Sequence, residues 1–285
     1  MALKNITGID HAVVAVRDLD SAAENWKRLG FTISPRGTHS AKMGTGNYTI
    51  MLGDDYFELL GVLSETEHNA PGRAFLDRTG GGIERVAFTT LDAAAGAEEV
   101  RARGYAPTGP TDFERPVTLP DGRQSAAKFR TFHWPVDEAP GGVRLFACQH
   151  KTRETVWIPE LQKHANTARR IEQVIVVSPE PKKEAEHLAR LIDGEVRAQA
   201  DGAFVVPSGP DRADFAFLTR DLLGQKYPGV SMAGLPLRSG AGLVIVVDDL
   251  AAAQRAAGAA AVKSGDAVVV PPAAGNGALL AFVSR

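Results

Sequence analysis

His11 lies in the run Gly8-Ile9-Asp10-His11-Ala12-Val13-Val14-Ala15-Val16, where the residues that follow it are all apolar. An imidazole in such a strand is either a satisfied core side chain or a ligand whose ring nitrogen faces a cation. Glu58 stands between Phe57 and Leu59, and a carboxylate there is costly to bury unless it is paired, protonated or bound to metal. Strand alternation puts Tyr56, Glu58 and Leu60 on one side and Phe57 and Leu59 on the other, so neither face reads as freely solvated. His39 and His68 fall in polar or glycine-rich connections, either as solvated loop side chains or at the mouth of a pocket. His133 and Trp134 precede Pro135, which restricts Trp134 to an extended shape and suggests a structural corner. Gly80-Gly81-Gly82 and Gly44-Thr45-Gly46 lack the lysine or helix context of a phosphate-binding loop and read as turns. Cys148 is the single cysteine, which excludes an internal disulfide and a sulfur-rich metal site.

The elements that must position these residues repeat along the chain. The β-branched run through Val16 is followed by the charged turn Arg17-Asp18-Leu19-Asp20 and a helical stretch from Ser21. Gly82-Ile83-Glu84-Arg85-Val86-Ala87-Phe88 repeats the Gly-Ile-acid opening, and Leu91-Asp92-Ala93-Ala94-Ala95 repeats the helix start. Third and fourth openings begin at Ile171 and Leu243, with helices expected over Lys182 to Leu191 and Ala251 to Ala261. Each unit ends in an apolar strand, at Tyr56 to Leu60, Leu145 to Gln149, Asp214 to Leu218 and Ala278 to Val283. Every unit therefore reads as β-α-β-β-β, and the predicted fold class is α+β. A unit of that size cannot bury both faces of its sheet, so the four should pair into two domains, 1–165 and 166–285. Lys151 to Arg169 is the expected join, and the glycine- and proline-rich stretch from Gly224 to Gly240 the loop between units three and four.

Composition narrows the class. With 285 residues and 44% hydrophobic content the chain can fill two cores. A net charge of −2 argues against nucleic-acid binding. No cationic, apolar leader or long apolar run suggests secretion or membrane insertion, so a cytoplasmic protein is expected.

Three segments carry a family resemblance: Gly8-Ile9-Asp10-His11-Ala12-Val13; Gly44-Thr45-Gly46-Asn47-Tyr48 running into Gly53-Asp54-Asp55-Tyr56-Phe57-Glu58-Leu59-Leu60; and Phe146-Ala147-Cys148-Gln149-His150 followed by Trp157. In order and spacing they resemble the glyoxalase-like branch of the vicinal oxygen chelate superfamily. The resemblance covers residues 5 to 165 and is topological alone over 170 to 285. It implies a curved, cup-shaped mixed sheet in each domain, with a divalent metal held inside by residues of the first and last strands of the modules.

Carried over position by position, the resemblance makes His11 the first-strand ligand and Glu58 the closing-strand ligand. Arg85 takes the place of His11 in the second unit, where a guanidinium cannot coordinate a metal. It is expected to clamp a substrate carboxylate or phosphate, or else to pair with Glu84 or Glu114. Aligning Phe146 with Phe57 puts Ala147 in the place of Glu58. His150 is then favoured as third ligand because imidazole is the better donor, with Gln149 as the alternative. His11, Glu58 and His150 would suit Fe(II), Mn(II), Ni(II) or Zn(II) and leave positions open for substrate and water. In the second half Gln173 stands where His11 stands, and no closing strand offers a carboxylate, so that domain is read as degenerate.

The expected function is a metal-dependent glyoxalase-like enzyme of isomerase or lyase type, acting on a small, oxygen-rich, anionic substrate, with Glu58 moving the proton. Two alternatives stand beside it: a non-catalytic binding or resistance protein, and an Fe(II) ring-cleaving dioxygenase. Small molecules, and a second copy of the chain in a homodimer, are the expected partners.

Overall fold

The computed structural model describes residues 3–119 and 121–284. Alternating β-branched runs form the strands, and at the turns that follow Asp18, Asp92 and Asp249 each cap a helix. The first module is β1 (Ile6–Val16), α1 (Leu19–Arg28), β2 (Gly37–Thr38), β3 (Thr45–Met51) and β4 (Tyr56–Val62). Asp18 caps α1 by accepting from the Ser21 amide at 2.9 Å, which starts the helix at Leu19. Helix α2 (Ala70–Thr79) leads to the second module: β5 (Gly82–Thr90), α3 (Ala93–Ala102), β6 (Thr108–Thr118), β7 (Gln124–His133) and β8 (Arg144–His150). The third is β9 (Ala168–Val177), α4 (Pro181–Ile192), β10 (Arg197–Ala198), β11 (Phe204–Pro207) and β12 (Asp214–Leu218). After α5 (Arg220–Lys226) comes the fourth: β13 (Ser239–Val247), α6 (Leu250–Ala257), β14 (Val262–Ser264), β15 (Ala267–Val270) and β16 (Leu279–Ser284).

All four units follow the predicted β-α-β-β-β plan. Two local expectations fail. The last helix stops at Ala257 instead of Ala261, because Gly258 takes φ 55 and leaves the helical path. The stretch after β12, expected as loop from Gly224, begins inside α5, which Thr219 caps.

In each module the first strand pairs in parallel with the last, and the first strands of partner modules pair antiparallel. The first pair of modules thus gives the order β2-β3-β4-β1-β5-β8-β7-β6, and the second gives β10-β11-β12-β9-β13-β16-β15-β14. A bridge between Gly240 and Ile83 joins β13 to β5, so both curved sheets are parts of one. The helix-facing sides share one apolar cluster in which Trp26, Phe57, Phe88, Phe215 and Phe282 are fully buried. Phe88 meets Phe215 with ring centroids 6.0 Å apart, and Phe31 meets Phe282 at 5.9 Å.

The inner faces differ. The second cup is filled by its own chain: Leu223, Tyr227, Val230 and Leu235, from α5 and the loop beyond, pack on Ile175, Val244 and Leu279. The first cup keeps an open cavity of about 440 Å³ lined by His11, Glu58 and Arg85. No helix among the described residues is long and apolar enough to cross a membrane.

Candidate functional site

A bulge in β1 shapes the floor of the first cup. Ile9 lies opposite Phe88 and His11 opposite Ala87, so Asp10 is an extra residue without a partner in β5. Asp10 is fully buried and takes three hydrogen bonds: from His11 Nδ1 at 2.7 Å, from His150 Nε2 at 3.0 Å and from the Thr89 hydroxyl at 2.9 Å. Burial alone would raise its carboxyl, but His150 and His11 together outweigh that and hold it well below the usual carboxylate range. An ionised carboxylate can only accept, so the ring hydrogens of both histidines are fixed on the nitrogens that face it.

This fixes the tautomer of His11 and turns its Nε2 to the cavity, 3.8 Å from Glu58 Oε2. Tyr56 stacks on the imidazole at 4.3 Å with planes 18° apart. Glu58 is 9% exposed, and its other oxygen accepts from Asn47 Nδ2 at 2.6 Å. Strand β3 therefore holds Glu58 from the side while β1 presents His11 to it. Room for Asn47 comes from Gly37 in β2, where a Cβ would lie 2.0 Å from Asn47 Oδ1.

The second module repeats the device with different chemistry. Val13 lies opposite Arg85 and Val14 opposite Ile83, so Glu84 is the extra residue of β5 as Asp10 is of β1. Glu84 is 1% exposed and bonds both Arg85 and Arg144. Burial pushes its carboxyl up, and the two guanidinium groups bring it below the ordinary value. Arg85 thus makes the ion pair with Glu84 and lines the cavity as well.

The structure brings His11, Glu58 and Arg85 to one cavity. His150 is turned elsewhere, with its Nε2 on Asp10 and its ring against Tyr56, Phe129 and Trp157. Gln149 points away from the cup, donating to the Leu91 carbonyl at 2.9 Å and accepting from the Ala93 amide at 3.2 Å. The sequence alignment of the closing strand is off by one residue. Glu58 lies opposite Val13, two beyond His11, and Phe146 lies opposite Ala87, two beyond Arg85. Phe146, not Ala147, therefore takes the place of Glu58.

Sequence reasoning missed Asp10: the Gly-Ile-acid opening occurs in two modules, but nothing in it marks the bulge that turns the acid inward. Asn47 was within a quoted motif without a role. Arg115, in β6 between Glu114 and Pro116, gave no signal, yet it is buried against the cavity. His39 and His133 also line the cavity. Burial pushes His133 down to about 3 and holds His39 below its ordinary value, so both are neutral near pH 7.

His11 Nε2 and Glu58 Oε2 are spaced so that one divalent ion, with bonds of about 2.0–2.2 Å, could be shared between them. The chain then offers two nitrogen and oxygen donors and leaves the other positions to water or substrate oxygens. Among the described residues, Asp10, Cys148 and His150 also bring ligand atoms within 4.8 Å of one another. There the carboxylate is already occupied by hydrogen bonds, and burial, aided by Asp10 and Glu58, pushes the Cys148 thiol far up. In this structure Asp10 and His150 are joined by a hydrogen bond behind the cavity floor, and the buried Nδ1 of His150 has no hydrogen-bond partner among the described residues.

A family model described as a glyoxalase-like domain matches residues 9–192. The chain belongs to the glyoxalase-like domain family. With it comes membership of the vicinal oxygen chelate superfamily, in agreement with the resemblance read from the sequence. The crystal structure of a hypothetical protein from Staphylococcus aureus has a similar fold at 12% identity, with a TM-score of 0.67 over 97% of this chain and 99% of that one. A xylose isomerase-like TIM barrel/4-hydroxyphenylpyruvate dioxygenase fusion protein aligns at 16% identity and a TM-score of 0.54, covering 90% of this chain and 40% of that one. Methylmalonyl-CoA epimerase from Mycobacterium tuberculosis aligns at 22% identity and a TM-score of 0.40, covering 52% of this chain and 91% of the epimerase. No protein of curated function matches the chain. Beyond the glyoxalase-like fold, the chemistry must be argued from this chain's own residues.

Proposed function

We propose that this glyoxalase-like protein is an enzyme of isomerase or lyase type that moves a proton on a small, oxygen-rich, anionic substrate bound in the first cup. The observation that carries this reading is Glu58: a buried carboxylate on the cavity wall, tethered by Asn47 and faced by His11 Nε2. A carboxylate held in that way is oriented to take a proton from a carbon acid and to return it. Residues 1–165 would form the working domain and 166–285 a degenerate one whose cup is closed by its own side chains.

His11 and Glu58 would hold a divalent metal, which when bound supplies Lewis-acid polarisation of a substrate oxygen. The chain's own contribution is separate from that. Asp10 keeps Nε2 of His11 directed at the cavity, and Asn47 keeps the Glu58 carboxylate from swinging out of it. The aromatic walls limit water at the reacting carbon.

A second reading, a non-catalytic binding protein, is favoured by Arg85 and Phe146 standing where the resemblance places two ligands. The Fe(II) ring-cleaving reading needs His150 as third donor, and that ring does not line the cavity.

The test is deuterium exchange from D2O into C3 of small 2-oxo acids and C2 of small 2-hydroxy acids, followed by NMR with and without Mn(II), Fe(II), Ni(II) or Zn(II). Exchange is expected with the wild-type protein and should fall at least about a hundredfold in Glu58→Gln, the range of a lost general base. No exchange in either protein, with ligand affinity equal in both, would leave the binding reading in its place.

A further inference from the structure

Arg115 is 8% exposed and faces the first-cup cavity. Among the described residues its guanidinium has neither a hydrogen-bond nor an ion-pair partner. A buried cation without a counter-charge is costly, and proteins keep one where a ligand completes it. Burial lowers its proton affinity, an effect that Tyr56 and Glu58 only offset in part. Of the other charged groups on the cavity wall, Glu58 acts on Arg115 across the cavity without a direct ion pair and is held by Asn47, and the rest are paired, solvated or neutral. Arg85 is bonded to Glu84, Asp112 is paired with Arg130 and Lys151, and Lys42 is solvated at the rim. His39 and His133 are neutral.

One side of the cavity around Arg115 is apolar. Phe113 and Phe129 are stacked at 4.9 Å with planes 19° apart, and Phe146, Met43, Leu60 and Val156 add to it, while Asn47, Thr49 and Thr131 are polar groups of the same lining. The apolar side suits the carbon body of a ligand.

From this we infer that Arg115, and not Arg85, is the anion anchor of the first cup, and that its ligand is an amphiphilic carboxylate. The carboxylate meets the guanidinium, and the apolar or aromatic body lies against Phe113, Phe129 and Phe146. This rests on the reading of the first cup as the substrate site and narrows its substrate class from any small anion to one with an apolar body. A guanidinium binds a carboxylate through two parallel hydrogen bonds, a geometry that lysine cannot reproduce.

Binding measured by calorimetry, independent of turnover, tests the assignment. The probes are phenylacetate, acetate, inorganic phosphate and the uncharged 2-phenylethanol. Wild-type protein and Glu58→Gln are both expected to bind phenylacetate, and to bind it at least about tenfold tighter than either acetate or 2-phenylethanol. Arg115→Gln should weaken phenylacetate by at least about tenfold. Arg115→Lys should recover only part of that loss, and Arg85→Gln should change it less than Arg115→Gln does. Arg115→Met, which removes an unpaired buried charge, should melt at or above the wild-type temperature in the absence of ligand. Phenylacetate affinity unchanged in Arg115→Gln, phosphate binding tighter than phenylacetate, or an Arg115→Met protein that unfolds would each overturn the proposal. Arg115-dependent binding without deuterium exchange would sink only the enzymatic reading. Exchange that depends on Glu58 but not on Arg115 would sink only this one.

Discussion

Asp10 illustrates how one buried side chain sets the behaviour of two others. Its Oδ1 is the common acceptor for His11 and His150, so Asp10→Ala leaves both ring N–H groups without that partner. The expected result is a loss of about 1–3 kcal/mol in chemical denaturation, because a buried donor is left unsatisfied. Divalent-metal affinity, read by titration, should fall with it, since His11 Nε2 is no longer fixed toward Glu58. His11 and Glu58 could be read from the sequence because a polar residue in an apolar strand is conspicuous. Asp10 could not be read with a role, because its place depends on a bulge, and a bulge leaves no mark in a period-two pattern. Arg115 is harder still. Its strand carries Asp112, Glu114 and Arg115 in near succession and looks solvated along its length, and only the closure of the cup buries one of them.

Strand placement makes two further outcomes predictable. Gly37→Ala puts a methyl group where Asn47 now sits, so Asn47 must leave Glu58. Exchange activity should drop about tenfold, the size of a lost hydrogen bond to a charged group, and Asn47→Ala should give a similar loss that does not add to it. Asp55, in the turn between β3 and β4, accepts from the Ile171 amide of β9 at 3.0 Å. Burial raises its carboxyl from the ordinary 3.8 to about 7, against the pull of that hydrogen bond and of Arg212 and Arg170. A folded-state value above the unfolded one means that the folded protein holds this proton more tightly. The resulting stability is complete below pH 3.8 and is lost as pH rises through about 7. At most about 4 kcal/mol is at stake, at 1.36 kcal/mol per unit. Denaturation at about pH 5 and pH 8 should show the wild type weaker at the higher pH, and Asp55→Asn should remove most of that difference.

The four-fold repeat was readable because each module announces itself with the same opening, turn and helix. What joins the modules was not readable, since the contacts are between residues far apart in the chain. Phe88 meets Phe215 and Phe31 meets Phe282, so the apolar cluster belongs to the whole chain. A fragment ending at residue 165 would expose these rings, and it is expected to bind a hydrophobic dye and give poorly dispersed NMR spectra. Leu223→Ala, within the plug of the second cup, should cost about 2–5 kcal/mol of stability while leaving phenylacetate binding in the first cup unchanged.

Trp26, at the heart of the first module, donates its indole N–H to Asn276 at 2.9 Å. During synthesis that acceptor and Phe282 leave the ribosome long after Trp26 does. Until then the helix carrying Trp26 lacks its lid, and the parallel strand pairs around it span long stretches of chain that close slowly. Chaperone dependence should therefore persist until β16 emerges, and it should fall once that strand has paired.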